Sequence, residues 1–327
     1  MDLEKVLVTG CAGYIGSVLM RLLLNKGYKV KGIDNLQFGG ESLLGIYNNP
    51  NFEFLYGDIR DNQILDKVLK NVDHVVHLAA IVGDPACATE PDKAREVNWK
   101  ASNNLFKMAK ESDVDRFVFA STCSNYGKMD AGENNFVSEE SPLRPVSLYA
   151  ELKVKFEKYI LASEKSDDLT PVSLRFATVY GLSSRPRFDL TVNDFTRQLQ
   201  SGRELVIYGE QFWRPYCHVF DISRAILMTL QADKKIVAHQ VFGVGSTAEN
   251  YQKKMIVDEL LEYFPAAKIK YVKKEEDPRD YRVDFSHIKN ELGFKVTHTV
   301  PDGIREVKEV LDQGLISEPF SKKYRNV

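Results

Sequence analysis

The chain lacks the features that would tie it to a membrane, a nucleic acid or an oxidising compartment. Its 327 residues include only 4 cysteines, Cys11, Cys87, Cys123 and Cys217. They lie far apart, with no pair at metal-ligand spacing. That excludes a metal site and a disulfide framework and leaves free thiols, as expected in a reducing cytoplasm. No apolar run is long enough to cross a bilayer, and the chain enters a strand-like run almost at once. Neither a membrane span nor a secretory leader is expected. A net charge of −2 provides no electrostatic case for nucleic acid or an anionic membrane. The basic run over 268–274 is broken by apolar residues and followed by Glu275-Glu276-Asp277, so it reads as a solvated strand edge. Internal repeats and low-complexity segments are absent. The remainder, 43% hydrophobic and 28% charged, suits an ordinary globular protein of one large or two fused domains.

Short apolar runs alternate with helical periodicity in the first half. Strands are predicted at Lys5–Thr9, 28–33, Phe52–Tyr56, 72–78, 116–121 and 172–176. Long helices are predicted over 92–112 and 149–164. This rhythm predicts an α/β fold: a doubly wound, Rossmann-type parallel sheet with helices on both faces and ligands at the carboxyl ends of the strands. Beyond about Gly181 the rhythm loosens, and Gly, Pro and Arg cluster over 181–187. The expected organisation is a cofactor-binding region over 1–180 and a smaller mixed α/β region over 181–327. Elements of the second are expected to interleave with the main sheet.

Between the first strand and the first helix lies Thr9-Gly10-Cys11-Ala12-Gly13-Tyr14-Ile15-Gly16. Glycines at this spacing allow a tight turn and bring backbone N–H groups to a pyrophosphate, with the helix dipole adding to the attraction. Asp34 ends the second strand, about 20 residues on, where an acid accepts hydrogen bonds from an adenosine ribose and repels a 2′-phosphate. Asp34 therefore points to NAD rather than NADP, with Asn35 beside it. Asp58-Ile59 is placed to bracket the adenine. Leu78-Ala79-Ala80, after His77, supplies small residues for close approach of the cofactor.

Tyr149-Ala150-Glu151-Leu152-Lys153 sets a phenol and an ammonium four residues apart on one helix face. A phenol with a pKa of about 10 is a poor base at neutral pH. A neighbouring positive charge stabilises the phenolate, so the tyrosine can take a proton from an alcohol as hydride leaves the carbon.

Taken in order, the glycine triplet, Asp34-Asn35, Gly57-Asp58-Ile59, His77-Leu78-Ala79-Ala80, Asn98, Ser121-Thr122, Tyr126-Gly127, Tyr149-x-x-x-Lys153 and Arg214-Pro215-Tyr216 resemble the extended short-chain dehydrogenase/reductases that act on nucleotide sugars. The resemblance spans nearly the whole chain. It implies bound NAD and a homodimer joined through a four-helix bundle made from the helices near 92–112 and 149–164. It makes Tyr149 the general base, Lys153 the group that lowers its pKa and holds the nicotinamide ribose, and Thr122 the hydroxyl that bonds the reacting sugar oxygen. Asn98 would support the second half of the cofactor. Many relatives carry Asn at the position of Thr178, usually a contact to the sugar diphosphate.

A nucleoside diphosphate needs arginines or backbone amides. Arg214 is the first candidate and Arg279 the second, followed by Arg185 and Arg187; each could equally be a surface ion pair. Asn193 is either a contact to base or phosphate or a residue of the helix surface. Asp84 either meets a sugar hydroxyl or starts the turn before Pro85.

In related 4,6-dehydratases an Asp-Glu pair follows the catalytic threonine, whereas here Cys123-Ser124 occupies those positions. Fucose-synthase-like relatives place a cysteine where Ser124 stands, which makes Ser124 a candidate sugar contact. Alternation along an extended segment turns Cys123 the other way, towards the interior. What remains is chemistry at C4 alone: a 4-epimerase, or else a C4 dehydrogenase or ketoreductase with net turnover of NAD. A non-enzymatic NAD-binding regulator is a third reading, against which all three catalytic positions are filled. The segment Ile81–Cys87 departs from the sugar-contacting loop of 4-epimerases.

Overall fold

The structure is a computed structural model that describes residues 3–128, 136–164, 168–273 and 279–326. Lys274 to Pro278, the end of the basic run and the acidic stretch after it, lie outside the described residues.

The strands in chain order are β1 (Lys5–Thr9), β2 (Lys29–Asp34), β3 (Phe52–Tyr56), β4 (His74–His77), β5 (Arg116–Thr122), β6 (Thr170–Phe176), β7 (Thr178–Tyr180), β8 (Leu205–Tyr208), β9 (Trp213–His218), β10 (Val241–Val244), β11 (Asn250–Gln252) and β12 (Ile269–Val272). Seven of them form one sheet in the order β10-β6-β5-β4-β1-β2-β3, and every pairing in it is parallel. β5 and β6 are buried along their whole length, as strands covered on both faces must be.

Period-two alternation sorts the strand side chains between two cores. Val6, Val8, Val76 and Val118 face the first, with Leu19 and Leu23 of the helix Tyr14–Asn25 and Ile222 and Ile226 of the helix Val219–Gln231. Leu7, Val75, Phe117 and Phe119 face the second, with Leu105 and Phe106 of the helix Ser102–Lys110 and Leu152 and Phe156 of the helix Leu148–Leu161. In this second core Phe106 meets Phe117 edge-on at 5.1 Å and Phe119 meets Phe156 at 4.7 Å. Each such pair adds about 0.5–1.5 kcal/mol beyond its buried area.

One feature differs from the sequence expectation, and two give form to the expected interleaving of the later region with the main sheet. The helix expected over 92–112 is Pro91–Arg95, a π-helical turn at Glu96–Ala101, and then Ser102–Lys110. The main sheet gains an edge strand from the later half, β10, which pairs with β6. Two small sheets, β11-β9-β7 and β12-β8, carry the remaining strands. In β12 and next to it, Lys268, Lys270 and Lys273 are exposed. Among the described residues no helix is long and apolar enough to cross a membrane.

The direction of the strand order reverses at β1, which has β2 on one side and β4 on the other. A crevice opens at the carboxyl ends of strands at such a point.

Candidate active site

A cavity of about 510 Å³ fills that crevice. Its floor is the turn after β1. Gly10 has φ +73°, and a Cβ there would lie 2.9 Å from the Ala79 nitrogen; a Cβ on Gly16 would lie 2.2 Å from the Gly10 oxygen. Both positions require glycine, because the turn packs directly on the end of β4 and on itself. Behind it, Ala79 N–H donates to Thr9 Oγ1 (3.2 Å), Thr9 pairs with His77 Nδ1 (2.8 Å), and His77 Nε2 pairs with Ser102 Oγ (2.9 Å). Burial pushes His77 down to about 3, so the chain of bonds runs through a neutral ring. The helix Tyr14–Asn25 that follows has no capping side chain and no acid in its first turn. Its N-terminus is thus available to an anion.

Gly10, Gly13, Tyr14, Ile15, Gly16, Asp34, Asn35, Asp58, Ile59, Leu78, Ala79 and Ala80 all line this cavity. The Asp34 carboxylate accepts from Ala12 N–H (3.0 Å) and Leu36 N–H (2.8 Å). Burial raises its pKa against those amides and against Arg185. Asp58 is held at about 2, chiefly by hydrogen bonds from Arg60, and it also accepts from Asn35 Nδ2 (3.0 Å). The glycine cradle, the open helix N-terminus and the buried carboxylate together fit a dinucleotide.

Tyr149 and Lys153 line the same cavity with Thr122. Ser147 caps their helix by accepting from Ala150 N–H (3.3 Å), a bond worth about 1 kcal/mol. Thr122 ends β5, and its hydroxyl acts on the Tyr149 phenol across the cavity, lowering its pKa. Lys153 Nζ donates to the Ala120 carbonyl (2.7 Å) and sits 5.8 Å from the Tyr149 ring centre. Burial brings Lys153 down to about 8 and raises the Tyr149 phenol above its ordinary value. Cys87 and Asp84 push Tyr149 further up, and Arg187 and the Thr122 hydroxyl pull it down. Desolvation therefore governs both groups.

The substrate candidates divide. Ser124, Thr178, Arg187, Arg214 and Arg279 line the cavity. Arg187 forks onto Asp189 (3.0 and 2.7 Å). Arg279 pairs with Asp84 (2.9 Å), whose other oxygen accepts from Ser147 Oγ (2.6 Å). Arg214 lies 5.3 Å over the Tyr281 ring. Asp84 serves as the carboxylate partner of Arg279 and is not part of the cavity wall. Two asparagines hold backbone groups and do not line the cavity. Asn98 is buried in the π-helical turn and clamps both backbone groups of Ile81, each at 2.8 Å. Asn193 is buried, accepting from Gly181 N–H (2.9 Å) and donating to the Gly181 and Arg187 carbonyls. Inward-facing amides at helix spacing are indistinguishable in sequence from ligand contacts. Cys123 is buried and its thiol donates to the Arg175 carbonyl (3.3 Å), away from the cavity.

Sequence reasoning overlooked Phe38, Arg60, Lys253 and Asn326, which also line the cavity. Phe38 stands before Gly39-Gly40, a turn signal that gives no hint of a ligand contact. Lys253 and Asn326 come from segments with no motif. Among the described residues no group of three or more His, Cys, Asp or Glu is placed to hold a metal ion.

Comparisons with known proteins agree with this geometry. The model of the NAD dependent epimerase/dehydratase family matches residues 6–245. UDP-glucose 4-epimerase of Lactobacillus helveticus is 28% identical over 320 residues, covering 92% of this chain and 94% of its own. The structure of UDP-glucose 4-epimerase from Thermotoga maritima, solved with UDP-glucose, superposes with a TM-score of 0.84 at 26% identity, over 95% of this chain and 100% of its own. That of dTDP-glucose 4,6-dehydratase from Streptomyces venezuelae, solved with NAD, gives 0.85 at 28% identity, over 97% and 100%.

Proposed function

The chain belongs to the NAD-dependent epimerase/dehydratase family, and from that premise we propose that it is a nucleotide-sugar 4-epimerase working through a 4-keto intermediate. The glycine turn, Asp34 and Asp58 would hold the dinucleotide, with Lys153 at the nicotinamide ribose. NAD, when bound, supplies the hydride acceptor. Thr122 holds the C4 oxygen while Tyr149 takes the hydroxyl proton as the C4–H bond breaks, and Tyr149 returns that proton when the ketone is reduced. At neutral pH Lys153, with its pKa near 8, is still mainly the ammonium and favours the phenolate. Arg214, Arg279 and Arg187 would meet the diphosphate, with Ser124 and Thr178 against the sugar.

The observation that carries this reading is that Thr122, Tyr149 and Lys153 line one cavity, with Lys153 Nζ 5.8 Å from the Tyr149 ring centre, where Cys123 turns inward and Ser124 faces the ligand space. Removing water across C5 and C6 needs an acid and a base next to that threonine, and neither residue supplies one. The same reading assigns cofactor binding to 1–180 and nucleotide-sugar binding to 181–327. It places the protein in the cytoplasm, as a homodimer through the helices around 91–110 and 148–161.

The test is incubation with UDP-, dTDP- and GDP-sugars, following products by NMR and NADH by absorbance. A C4 epimer without net NADH is expected. Stoichiometric NADH without an epimer would replace the epimerase by a C4 dehydrogenase, and a 4-keto-6-deoxy product would replace it by a dehydratase.

A further inference from the structure

The segment Tyr324–Asn326 crosses back over the cavity. Phe188 N–H donates to the Tyr324 carbonyl (2.8 Å), the two rings meet edge-on at 5.5 Å, and Asn326 N–H donates to Asp189 (3.2 Å). From the cavity wall, Arg185 reaches this segment with two of its three nitrogens. Nη1 donates to Asn326 Oδ1 (2.7 Å) and Nη2 to the Arg325 carbonyl (3.2 Å).

The third nitrogen is the informative one. Arg185 is 6% exposed, and its Nε–H has no hydrogen-bond acceptor among the described residues. A buried donor left unsatisfied costs about 1–3 kcal/mol, and native structures rarely tolerate one without a ligand or water to meet it. The guanidinium lies 4.2 Å over the Phe38 ring, and Asp34 is among the charges acting on it. Asp34, Phe38, Arg185 and Asn326 line one cavity. Asp34 ends β2 and Phe38 lies in the turn after it, where the adenosine half of a dinucleotide sits in this kind of sheet.

We propose that Arg185 is a cofactor-binding residue that closes the adenosine end of the cavity against Phe38, with Tyr324–Asn326 as the strap that holds it there. The arginine supplies a donor to an oxygen of the adenosine ribose-phosphate. The strap engages both Nη atoms and so presents the guanidinium in one orientation, which favours a charge-assisted bond to the ligand. The assignment rests on NAD as cofactor and is independent of the sugar and of the position oxidised.

The test measures binding rather than turnover. Cofactor-stripped protein is melted with AMP and, separately, with nicotinamide mononucleotide, and NAD release from the loaded protein is followed by gel filtration. Arg185→Met should reduce the AMP-induced shift, leave the nicotinamide mononucleotide shift intact, and speed NAD release about 10–100-fold. Asn326→Ala, which removes only the strap's acceptor, should act in the same direction by a few-fold. Wild-type AMP shifts and NAD release in both variants would overturn the proposal, as would equal loss of both nucleotide shifts in Arg185→Met. If Arg185→Met does not fold, Asn326→Ala decides: an unchanged AMP shift overturns the proposal and a reduced one supports it. Failure of wild-type protein to respond to NAD would count against the cofactor itself.

Discussion

The two ends of the cavity hold anions by different means. At the cofactor end the donors are backbone amides of a glycine turn and a helix N-terminus, fixed before any ligand arrives. At the substrate end they are arginines, two of which already carry carboxylate partners: Arg187 with Asp189 and Arg279 with Asp84. An incoming diphosphate there exchanges one acceptor for another. Such an exchange yields little net affinity but aligns the ligand, because the arginines are already oriented by those carboxylates. On the proposed assignment the cofactor end would favour retention and the substrate end turnover.

Tyr149 stands where the two ends meet, and its loss should have the largest effect. Tyr149→Phe should lower turnover about 10²–10⁴-fold while the protein retains NAD. Near-normal turnover would remove Tyr149 from its role, and loss of NAD would show that the ends are not separable there. Arg214→Ala should raise KM for the nucleotide sugar about 10–100-fold with NAD retention unchanged, measured by steady-state kinetics and by bound NAD after gel filtration. A fall in NAD retention would break the division between the two ends.

A smaller effect concerns pH. Lys153 is brought by burial from 10.5 to about 8, a difference of about 3 kcal/mol. Between those values the unfolded chain binds the proton and the folded chain does not, so folded stability rises with pH across the window. Below about 8 the full penalty of the buried ammonium is present. Melting temperatures of wild type and Lys153→Met should therefore converge or cross in favour of wild type from about pH 7 to about pH 10. A constant gap would mean that Lys153 stays charged throughout. Smallest is Cys123→Ala: with the thiol bonded to Arg175 and turned from the cavity, turnover should change no more than about twofold. A large loss would bring Cys123 back to the substrate end.

The same contrast explains what could be read in advance. β1 and β3 were legible to the residue, and the glycine turn with Asp34 was legible as a motif, because local periodicity and backbone conformation leave marks at fixed spacing. The π-helical turn at Glu96–Ala101 was not, since its residues are ordinary helix formers and tertiary contacts such as that of Asn98 with Ile81 decide the extra residue. Nor was β10, a four-residue run that becomes a strand by pairing with β6. Asn193 was open between a ligand contact and a helix-surface residue, because a polar residue in an amphipathic helix carries no sign of which backbone it will satisfy.

By itself the sequence determined the parallel sheet, the cofactor turn and the spacing of Tyr149 and Lys153, because each depends on residue type at short, fixed intervals; Thr122 entered through the family resemblance. Only the tertiary structure decided which arginine meets which carboxylate, that Asn98 and Asn193 are scaffold, and that a segment near residue 326 reaches Arg185 over the adenosine end. Those outcomes depend on contacts between segments more than a hundred residues apart along the chain in the case of Arg185 with Asn326. The Arg185–Asn326 pairing arises from packing and desolvation, and no local pattern encodes it.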